Sequence, residues 1–183
     1  MATTRSGFAT SAVAFLAGTV ALAGVAAAPG AACAADAQVQ RGEYLVTVIG
    51  CGDCHTPGTF LGKPDMTKLL GGSDVAFEVP GLGAFAGSNL TPDNATGIGT
   101  WTTEQIIEAM QHGKAPDGHE LAPSMPWRDF ATLSPEDATA IAVYLKSIPA
   151  VSHKVAGPFK PGEKVTSYLF RIMPPGATAA TAK

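Results

Sequence analysis

Apolar residues recur at helical spacing in several stretches of the chain, and residues that start or stop helices bound these stretches. The first stretch, Asp36 to Ile49, carries an apolar stripe that ends just before Cys51. The second, Thr102 to His112, begins with a threonine suited to the N-cap and is followed by Gly113, which favours a helix end. The pattern therefore predicts one helix before Cys51 and another in the middle of the chain.

A third helix has the clearest start signal in the sequence. Ser134 is suited to the N-cap and Pro135 to the first helical position, and two acidic residues follow where the helix dipole favours negative charge. This helix is predicted to run to about Ser147, because Pro149 cannot continue it. A shorter helix is predicted around Arg128 to Leu133.

The stretch from Thr56 to Thr100 contains no convincing helical pattern. Glycines interrupt it repeatedly, and only Val75 to Val79 together with Ala84 to Ala86 indicates a short β-hairpin. Such a long stretch without regular structure is uncommon in a compact domain unless it wraps around a bound group. We therefore expect an all-α domain whose long Gly/Pro-rich loops enclose a ligand.

The N-terminal segment differs in composition from the rest of the chain. Arg5 is the only charged residue before Asp36, and the run from Phe8 to Ala28 is apolar and rich in alanine and glycine. Ala32-Cys33-Ala34 matches the small-x-small pattern of a signal-peptidase site. We therefore predict a signal peptide over residues 1–35, a folded domain over 36–150, an extended tail over 151–183 and a periplasmic location.

Two alternatives for this segment stay open. A run of about 20 apolar residues is long enough to span a bilayer, so a retained membrane anchor is the first alternative. The second is lipidation of Cys33 at a new N-terminus. Either would leave the protein associated with the membrane.

The net charge and its distribution along the chain indicate which kinds of molecule the chain can bind. The formal net charge is −3, and the basic residues are scattered along the sequence rather than clustered. A nucleic-acid-binding protein typically shows a basic patch or stripe, so no nucleic-acid partner is predicted.

The chemistry of the chain centres on the pentapeptide Cys51-Gly52-Asp53-Cys54-His55. A C-x-x-C-H sequence is typical of covalent haem attachment, in which the two thiols add to vinyl groups of one porphyrin. The imidazole that follows then reaches the iron from the same side of the ring. The motif occurs once in the chain, so we expect one covalent haem c with His55 as an iron ligand. Covalent attachment in bacteria takes place outside the cytoplasmic membrane, which agrees with the predicted export.

Three other interpretations of the two cysteines agree less well with the sequence. A structural zinc site usually needs two such pairs, and this chain has only one. A thioredoxin-like dithiol needs a βαβ setting, whereas a Gly/Pro-rich stretch follows Cys54. A disulfide between Cys51 and Cys54 would close a loop too small to constrain much chain entropy.

Met125 is the best candidate for the second axial ligand. Prolines on both sides restrict the backbone of its segment, which reads Leu-Ala-Pro-Ser-Met-Pro-Trp over residues 121–127. A methionine ligand raises the potential relative to a second histidine. His119 is an alternative ligand, and ordinary packing is an alternative role for Met125. The other candidates are given different roles: core packing for Met110, a loop position for Met66, a tail position for Met173, and solvation for His112 and His153.

Several runs of residues in the middle of the chain occur together. They are Ser88-Asn89-Leu90-Thr91-Pro92-Asp93, Thr96-Gly97-Ile98-Gly99 with Trp101, the helix Thr103 to Gly113, the Met125-Pro126 pair, and Ala142-Val143-Tyr144-Leu145-Lys146-Ser147. In combination they resemble the c-type cytochrome subunits of bacterial alcohol and gluconate dehydrogenases, over nearly all of residues 42–151. The resemblance implies a class I cytochrome c fold with His55 as proximal ligand and Met125 as distal ligand.

The chain also departs from those subunits. They typically carry three haem domains and a tyrosine after the Met-Pro pair, whereas this chain has one haem motif and Trp127. We therefore expect a single-haem periplasmic electron carrier rather than an enzyme. Its electron donor would be a periplasmic or membrane-bound dehydrogenase, and its acceptor a terminal oxidase or another cytochrome. The alternatives are a fixed subunit of a membrane-bound dehydrogenase, or a haem enzyme or sensor with an open sixth coordination site.

Three further residues are assigned supporting roles. Trp101 and Arg128 are predicted to contact the haem propionates, with core packing and an exposed charge as their respective alternatives. His55 is expected to donate its second ring N–H to a backbone carbonyl, which fixes the ring orientation. The carbonyl of Pro57 is the candidate acceptor.

Overall fold

The computed structural model describes residues 1–3, 29–173 and 175–176 of the 183-residue chain. Within these ranges the regular elements are five α-helices and three β-strands. The helices are α1 (Pro29–Ile49), α2 (Cys51–His55), α3 (Thr103–His112), α4 (Trp127–Phe130) and α5 (Pro135–Ser147). The strands are β1 (Val75–Val79), β2 (Gly83–Ala86) and β3 (Tyr168–Phe170), and short 3₁₀ turns lie at Thr59–Leu61 and Met66–Lys68.

Helix α1 is longer than the sequence pattern predicted. It begins at Pro29 rather than at Asp36, so it runs through the predicted end of the signal peptide. Most of the predicted signal peptide, including the whole of its apolar run from Phe8 to Ala28, lies outside the described residues. Among the helices that the structure describes, none combines the length and the apolar character that crossing a membrane requires.

The main core forms where α1 crosses α5. Leu45 and Val46 of α1 pack against Ile141 and Leu145 of α5, and the cluster extends to Ile106 and Met110 of α3. The crossing is close because Gly42 faces the backbone of α5. A Cβ atom at Gly42 would lie 2.0 Å from the carbonyl oxygen of Ala140. The helical part of the predicted fold is therefore confirmed, and its centre is the α1–α5 contact.

The starts of α3 and α5 follow the sequence signals. The Thr102 hydroxyl accepts a hydrogen bond from the Gln105 backbone N–H at 3.2 Å, and the Gln105 side chain accepts one from the Thr102 N–H at 2.9 Å. This is a reciprocal capping box. At α5, the Ser134 hydroxyl accepts from the Asp137 N–H at 3.1 Å. Local capping chemistry therefore fixed both helix starts.

A small sheet accompanies the helices, so the prediction of an all-α domain was incomplete. The hairpin of β1 and β2 was predicted and is confirmed, with Phe77 opposite Phe85. Strand β3 was not predicted; it comes from the C-terminal tail and pairs in parallel with β1, giving the order β2-β1-β3. Phe159 of the tail packs with Ala76 and Ala84 in a second, small core. Part of the tail therefore contacts the rest of the structure through Phe159 and β3, and the predicted domain bounds stay a prediction.

Candidate haem site

The cysteine motif forms a helical turn of its own. Gly50 adopts a left-handed conformation, with φ of 79°, which ends α1 and lets α2 start in a new direction. Cys51 and Cys54 are three residues apart on α2, so both lie on one side of it, and both are half-buried free thiols. Burial raises the pKa of Cys51 to about 11. Burial and the negative charge of Asp53 raise the pKa of Cys54 as well. Both sulfurs are therefore neutral thiols near pH 7.

His55 is buried, and a single hydrogen bond orients its ring. Nδ1 lies 2.7 Å from the carbonyl oxygen of Ser88. A carbonyl oxygen only accepts, so Nδ1 carries the proton and Nε2 presents its lone pair. Burial lowers the pKa of His55 more than the Ser88 contact raises it, so the ring is neutral. A neutral imidazole with a free Nε2 lone pair is a metal ligand.

The predicted acceptor for His55 was wrong. The carbonyl of Pro57 accepts the backbone N–H of Asp65 at 2.9 Å instead. Pro57 is close in sequence, but its carbonyl takes part in the turn that follows α2. The acceptor comes from Ser88, which the chain reaches through the β1–β2 hairpin.

Gly87 allows this approach of the chain to the motif. A Cβ atom at Gly87 would lie 1.9 Å from the carbonyl oxygen of Cys54 and 3.2 Å from Nδ1 of His55. On the other side, the His55 carbonyl accepts from the Gly72 N–H at 2.7 Å. The long segment after α2 therefore folds back onto it from two directions, as expected for a loop that builds one wall of a site.

Met125 sits in a tight turn before α4. Its N–H donates to the Ala122 carbonyl at 2.9 Å, and its own carbonyl accepts from the Trp127 N–H at 2.9 Å. The side chain of Met125 is half-buried. The backbone of the segment is thus constrained as predicted, and the role of Met125 as iron ligand stays a prediction.

The alternative ligands are placed differently. His119 is exposed, and its Nδ1 lies 2.5 Å from a carboxylate oxygen of Asp117. Met110 is buried in the helical core, as predicted. His153 is half-buried and donates to the Gly71 carbonyl at 2.7 Å, so its predicted solvation was wrong. Of the rest, Met66, Met173 and His112 are exposed, and His112 lies 3.9 Å from Glu108.

Trp101 and Arg128 occupy different surroundings. Trp101 is half-buried and packs against the helical core. Arg128 is exposed, and its guanidinium carbon lies 4.1 Å from the centroid of the Trp127 ring. These positions agree with the alternative roles given to the two residues, and their contact with propionates stays a prediction. Among the described residues there is no group of three or more His, Cys, Asp or Glu side chains that could hold a metal ion.

Three of the curated proteins that are similar to this chain are cytochromes or cytochrome subunits. The fructose dehydrogenase cytochrome subunit of Gluconobacter japonicus is 35% identical over 125 residues, which cover 66% of this chain and 24% of that protein. The gluconate 2-dehydrogenase cytochrome c subunit of Pantoea cypripedii is 37% identical over 109 residues, which cover 60% of this chain and 23% of that subunit. A diheme c-type cytochrome of Cereibacter sphaeroides is 29% identical over 127 residues, 67% of this chain and 42% of that cytochrome. The chain is a relative of the c-type cytochromes.

The similarity covers only part of each relative, and this limits which of their properties can be assigned to this chain. The chain spans about a quarter of the length of the two dehydrogenase subunits and less than half of the diheme protein. No protein-family model matches the chain. The activities and assemblies of the longer relatives are therefore not properties of this chain by similarity alone.

The residues of this cytochrome relative fit a haem c. The two thiols are unpaired and lie on the same short helix as His55. His55 is neutral, buried and oriented by a carbonyl, as a histidine ligand of iron requires. At Gly87 the chain passes so close to the motif that even a methyl group would collide with it. Cys51 and Cys54 would hold the porphyrin covalently, and His55 would bind its iron.

Two features were not predicted from the sequence: the contact of Ser88 with His55 and the burial of the Trp127 indole nitrogen. Ser88 acts through its backbone carbonyl, which no side-chain pattern reveals. The indole nitrogen of Trp127 is buried and has no hydrogen-bond partner within the described part of the chain. The signal that could have drawn attention to Trp127 was its place directly after Met125-Pro126.

Proposed function

We propose that this chain transfers single electrons through one haem c held by Cys51, Cys54 and His55. The observation that carries the proposal is the buried, neutral imidazole of His55, which is fixed by Ser88 beside two free thiols. When bound, the haem iron would supply the redox chemistry, by cycling between its ferrous and ferric states. The protein would supply ligands to the iron, bury the haem and control the access of partners to it. In this role the chain is an electron carrier and not itself a catalyst.

We further propose that the chain works as the electron-transfer part of a dehydrogenase complex rather than as a free carrier. The free carrier was our expectation from sequence, but the similar proteins are subunits named after fructose, gluconate and alcohol dehydrogenases. A dehydrogenase would be the electron donor, and a terminal oxidase or another cytochrome the acceptor. The sequence signals for export support a periplasmic site of action.

The haem attachment is tested by replacing the two thiols. In a host that matures c-type cytochromes, the wild-type protein should be coloured, and its intact mass should include one haem. The variant with Cys51→Ala and Cys54→Ala should lose covalent haem, because no thioether can form. Cys33→Ala is the matched control, since Cys33 is an exposed cysteine outside the motif. A wild-type mass equal to the bare polypeptide would refute the proposal.

The role in a complex needs a separate experiment. The tagged chain should be purified in mild detergent from its own host and its oligomeric state measured. A fixed subunit should co-purify with a dehydrogenase, and its haem should be reduced when that enzyme's substrate is added. A monomeric haem protein that exchanges electrons with the dehydrogenase only in transient encounters would identify it as a free carrier instead.

A further inference from the structure

Three residues of the chain that follows α5, residues 151–153, contact both loops that hold His55. We refer to these three residues as the strap. One loop supplies the Gly72 N–H, which donates to the His55 carbonyl at 2.7 Å. The other loop supplies the Ser88 carbonyl, which accepts from Nδ1 of His55 at 2.7 Å. The strap therefore lies against the parts of the chain that fix the backbone and the ring of His55.

The side chain of His153 holds the first loop to the strap. His153 is half-buried, and its Nδ1 lies 2.7 Å from the carbonyl oxygen of Gly71. A carbonyl oxygen only accepts, so Nδ1 is the donor. The Gly71 carbonyl and the Gly72 N–H belong to the same planar peptide group. One rigid peptide plane thus accepts from His153 on one side and donates to the His55 carbonyl on the other.

The side chain of Asn89 holds the second loop to the strap. Asn89 is 2% exposed, and its Nδ2 donates to the Val151 carbonyl at 2.7 Å and to the Thr96 hydroxyl at 3.1 Å. Its Oδ1 accepts from the Thr91 N–H at 2.9 Å and from the Thr91 hydroxyl at 2.7 Å. Asn89 directly follows Ser88, so these bonds limit how far the Ser88 carbonyl can move.

The two loops are also bonded to each other. The Leu90 N–H donates to the Leu70 carbonyl, and the Ser73 N–H donates to the Gly87 carbonyl, both at 2.8 Å. A displacement of one loop is therefore transmitted to the other. The strap, both loops and His55 form one hydrogen-bonded unit, although the strap comes from the far side of the sequence.

We propose that the strap positions His55 as an iron ligand, and that His153 is a positioning residue in it. The inference rests on the proposed haem function. A hydrogen bond from Nδ1 to a carbonyl makes an imidazole a more basic ligand, and a more basic ligand stabilises ferric iron. Loss of the His153 contact should loosen both loops, weaken the bond from His55 to Ser88 and so raise the midpoint potential.

The test compares three variants of His153 in the haem-loaded protein. His153→Phe keeps a ring but cannot donate to the Gly71 carbonyl, and His153→Leu is measured beside it so that a folding defect in one leaves the test intact. In both, the Nδ1–H of His55 should exchange with solvent roughly two- to tenfold faster, the equivalent of one net hydrogen bond. The midpoint potential should rise. Proton NMR measures the exchange, and a redox titration measures the potential.

His153→Asn is the rescue variant. Asparagine carries an N–H donor on its γ-carbon, as histidine does at Nδ1, so it can still donate to the Gly71 carbonyl. It should restore the slow ring exchange and the potential of the wild type. A contribution from the bulk of the histidine ring alone would not be restored in this way.

Two controls separate positioning from stability. His112→Leu replaces an exposed histidine on α3 and should leave both measurements unchanged. Phe159→Leu weakens the second core further along the tail. It should lower the free energy of unfolding while the ring exchange of His55 stays at the wild-type rate.

The outcomes against the proposal are specific. Lower stability of His153→Phe and His153→Leu with wild-type ring exchange would give the strap a structural role only and overturn the proposal. Equal acceleration in Phe159→Leu, or a potential that falls in the His153 variants, would also overturn it. Wild-type protein without covalent haem would instead refute the haem function, on which this inference depends.

Discussion

A single backbone carbonyl decides which ring nitrogen of His55 is available. Ser88 supplies that carbonyl, and Gly87 lets the chain approach the motif closely enough to do so. We expect Gly87→Ala to push the chain away, because its Cβ would lie 1.9 Å from the Cys54 carbonyl oxygen. The His55 ring would lose its orientation, and overpacking of this kind costs about 1–3 kcal/mol of stability. The measurements are the fraction of protein with covalent haem and the free energy of unfolding.

Gly52→Ala is the control for this change. It lies inside the motif, yet its Cβ would find only ordinary contacts, at 3.6 Å from the Thr56 hydroxyl and 3.8 Å from a Leu69 methyl group. It should keep its haem and most of its stability. Equal haem content in the two alanine variants would show that the close approach at Gly87 does not matter.

Met125 is predicted to be the distal ligand of the haem iron, and its replacement tests this prediction. Thioether ligation favours ferrous iron, so Met125→Ala should lower the midpoint potential and remove the weak near-infrared band of sulfur–iron ligation. Met66→Ala is the matched control, because Met66 is exposed on a turn. An unchanged spectrum and potential in Met125→Ala would assign the sixth position to another residue, with His119 as the next candidate.

At the scale of single residues, the sequence revealed the side chains that could bind haem but not the backbone groups that position them. The thiols and His55 were recognisable from their spacing alone. Ser88 was not, because every residue has a carbonyl and only the folded path of the chain selects one. Trp127 illustrates the same limit: its type was visible, but its buried and unpaired nitrogen became apparent only in the packed structure.

Among the elements, the crossing of α1 and α5 organises the helical core. The contact is possible because Gly42 has no side chain to separate the helices. A Cβ there would lie 2.0 Å from the Ala140 carbonyl oxygen and 2.6 Å from the Cβ of Tyr144. Gly42→Ala should therefore force the two helices apart and lower the free energy of unfolding by about 1–3 kcal/mol. Denaturant titration of the haem-loaded protein measures this loss.

Gln40→Ala is the control for an alanine substitution at an exposed position of the same helix. A surface change of this kind is expected to stay within about 0.5 kcal/mol of wild type. If both variants unfold at the same denaturant concentration, the crossing is not held by the glycine contact.

Elements with local signals were predictable, and those that depend on distant partners were not. The N-cap signals at Thr102 and Ser134 depend only on residues a few positions further along the chain, and both helices begin where expected. Strand β3 has no such signal, because Tyr168–Phe170 becomes a strand only by pairing with β1, far earlier in the chain. The same reason explains why the pairing of the extended tail with β1 was not predicted from the sequence.

The part of the molecule that the structure describes has two unequal cores. Among the described residues, twelve buried side chains form the helical cluster, including Leu70 and Ile98 of the segment 56–100, whereas buried Ala76, Ala84 and Phe159 form the second one. The segment of residues 56–100 is tied to α2 by backbone contacts such as Gly72 N–H to the His55 carbonyl. Two buried side chains in the helical cluster and a small second core are weak support for such a long segment, and a bound porphyrin would supply further apolar contacts.

The haem-free protein should therefore be unevenly folded. When the wild-type chain is produced without haem maturation, we expect α1 and α5 to remain partly helical while amides of residues 56–100 lose protection from hydrogen exchange. The reason is that a ligand bound only by the native state adds its binding free energy to folding, and that contribution is absent here. Loaded protein of the same sequence is the control, compared by hydrogen exchange and thermal melting. A cooperative melt of the haem-free chain, with protection of residues 70–90 equal to that of the loaded protein, would show that the loop folds without the cofactor.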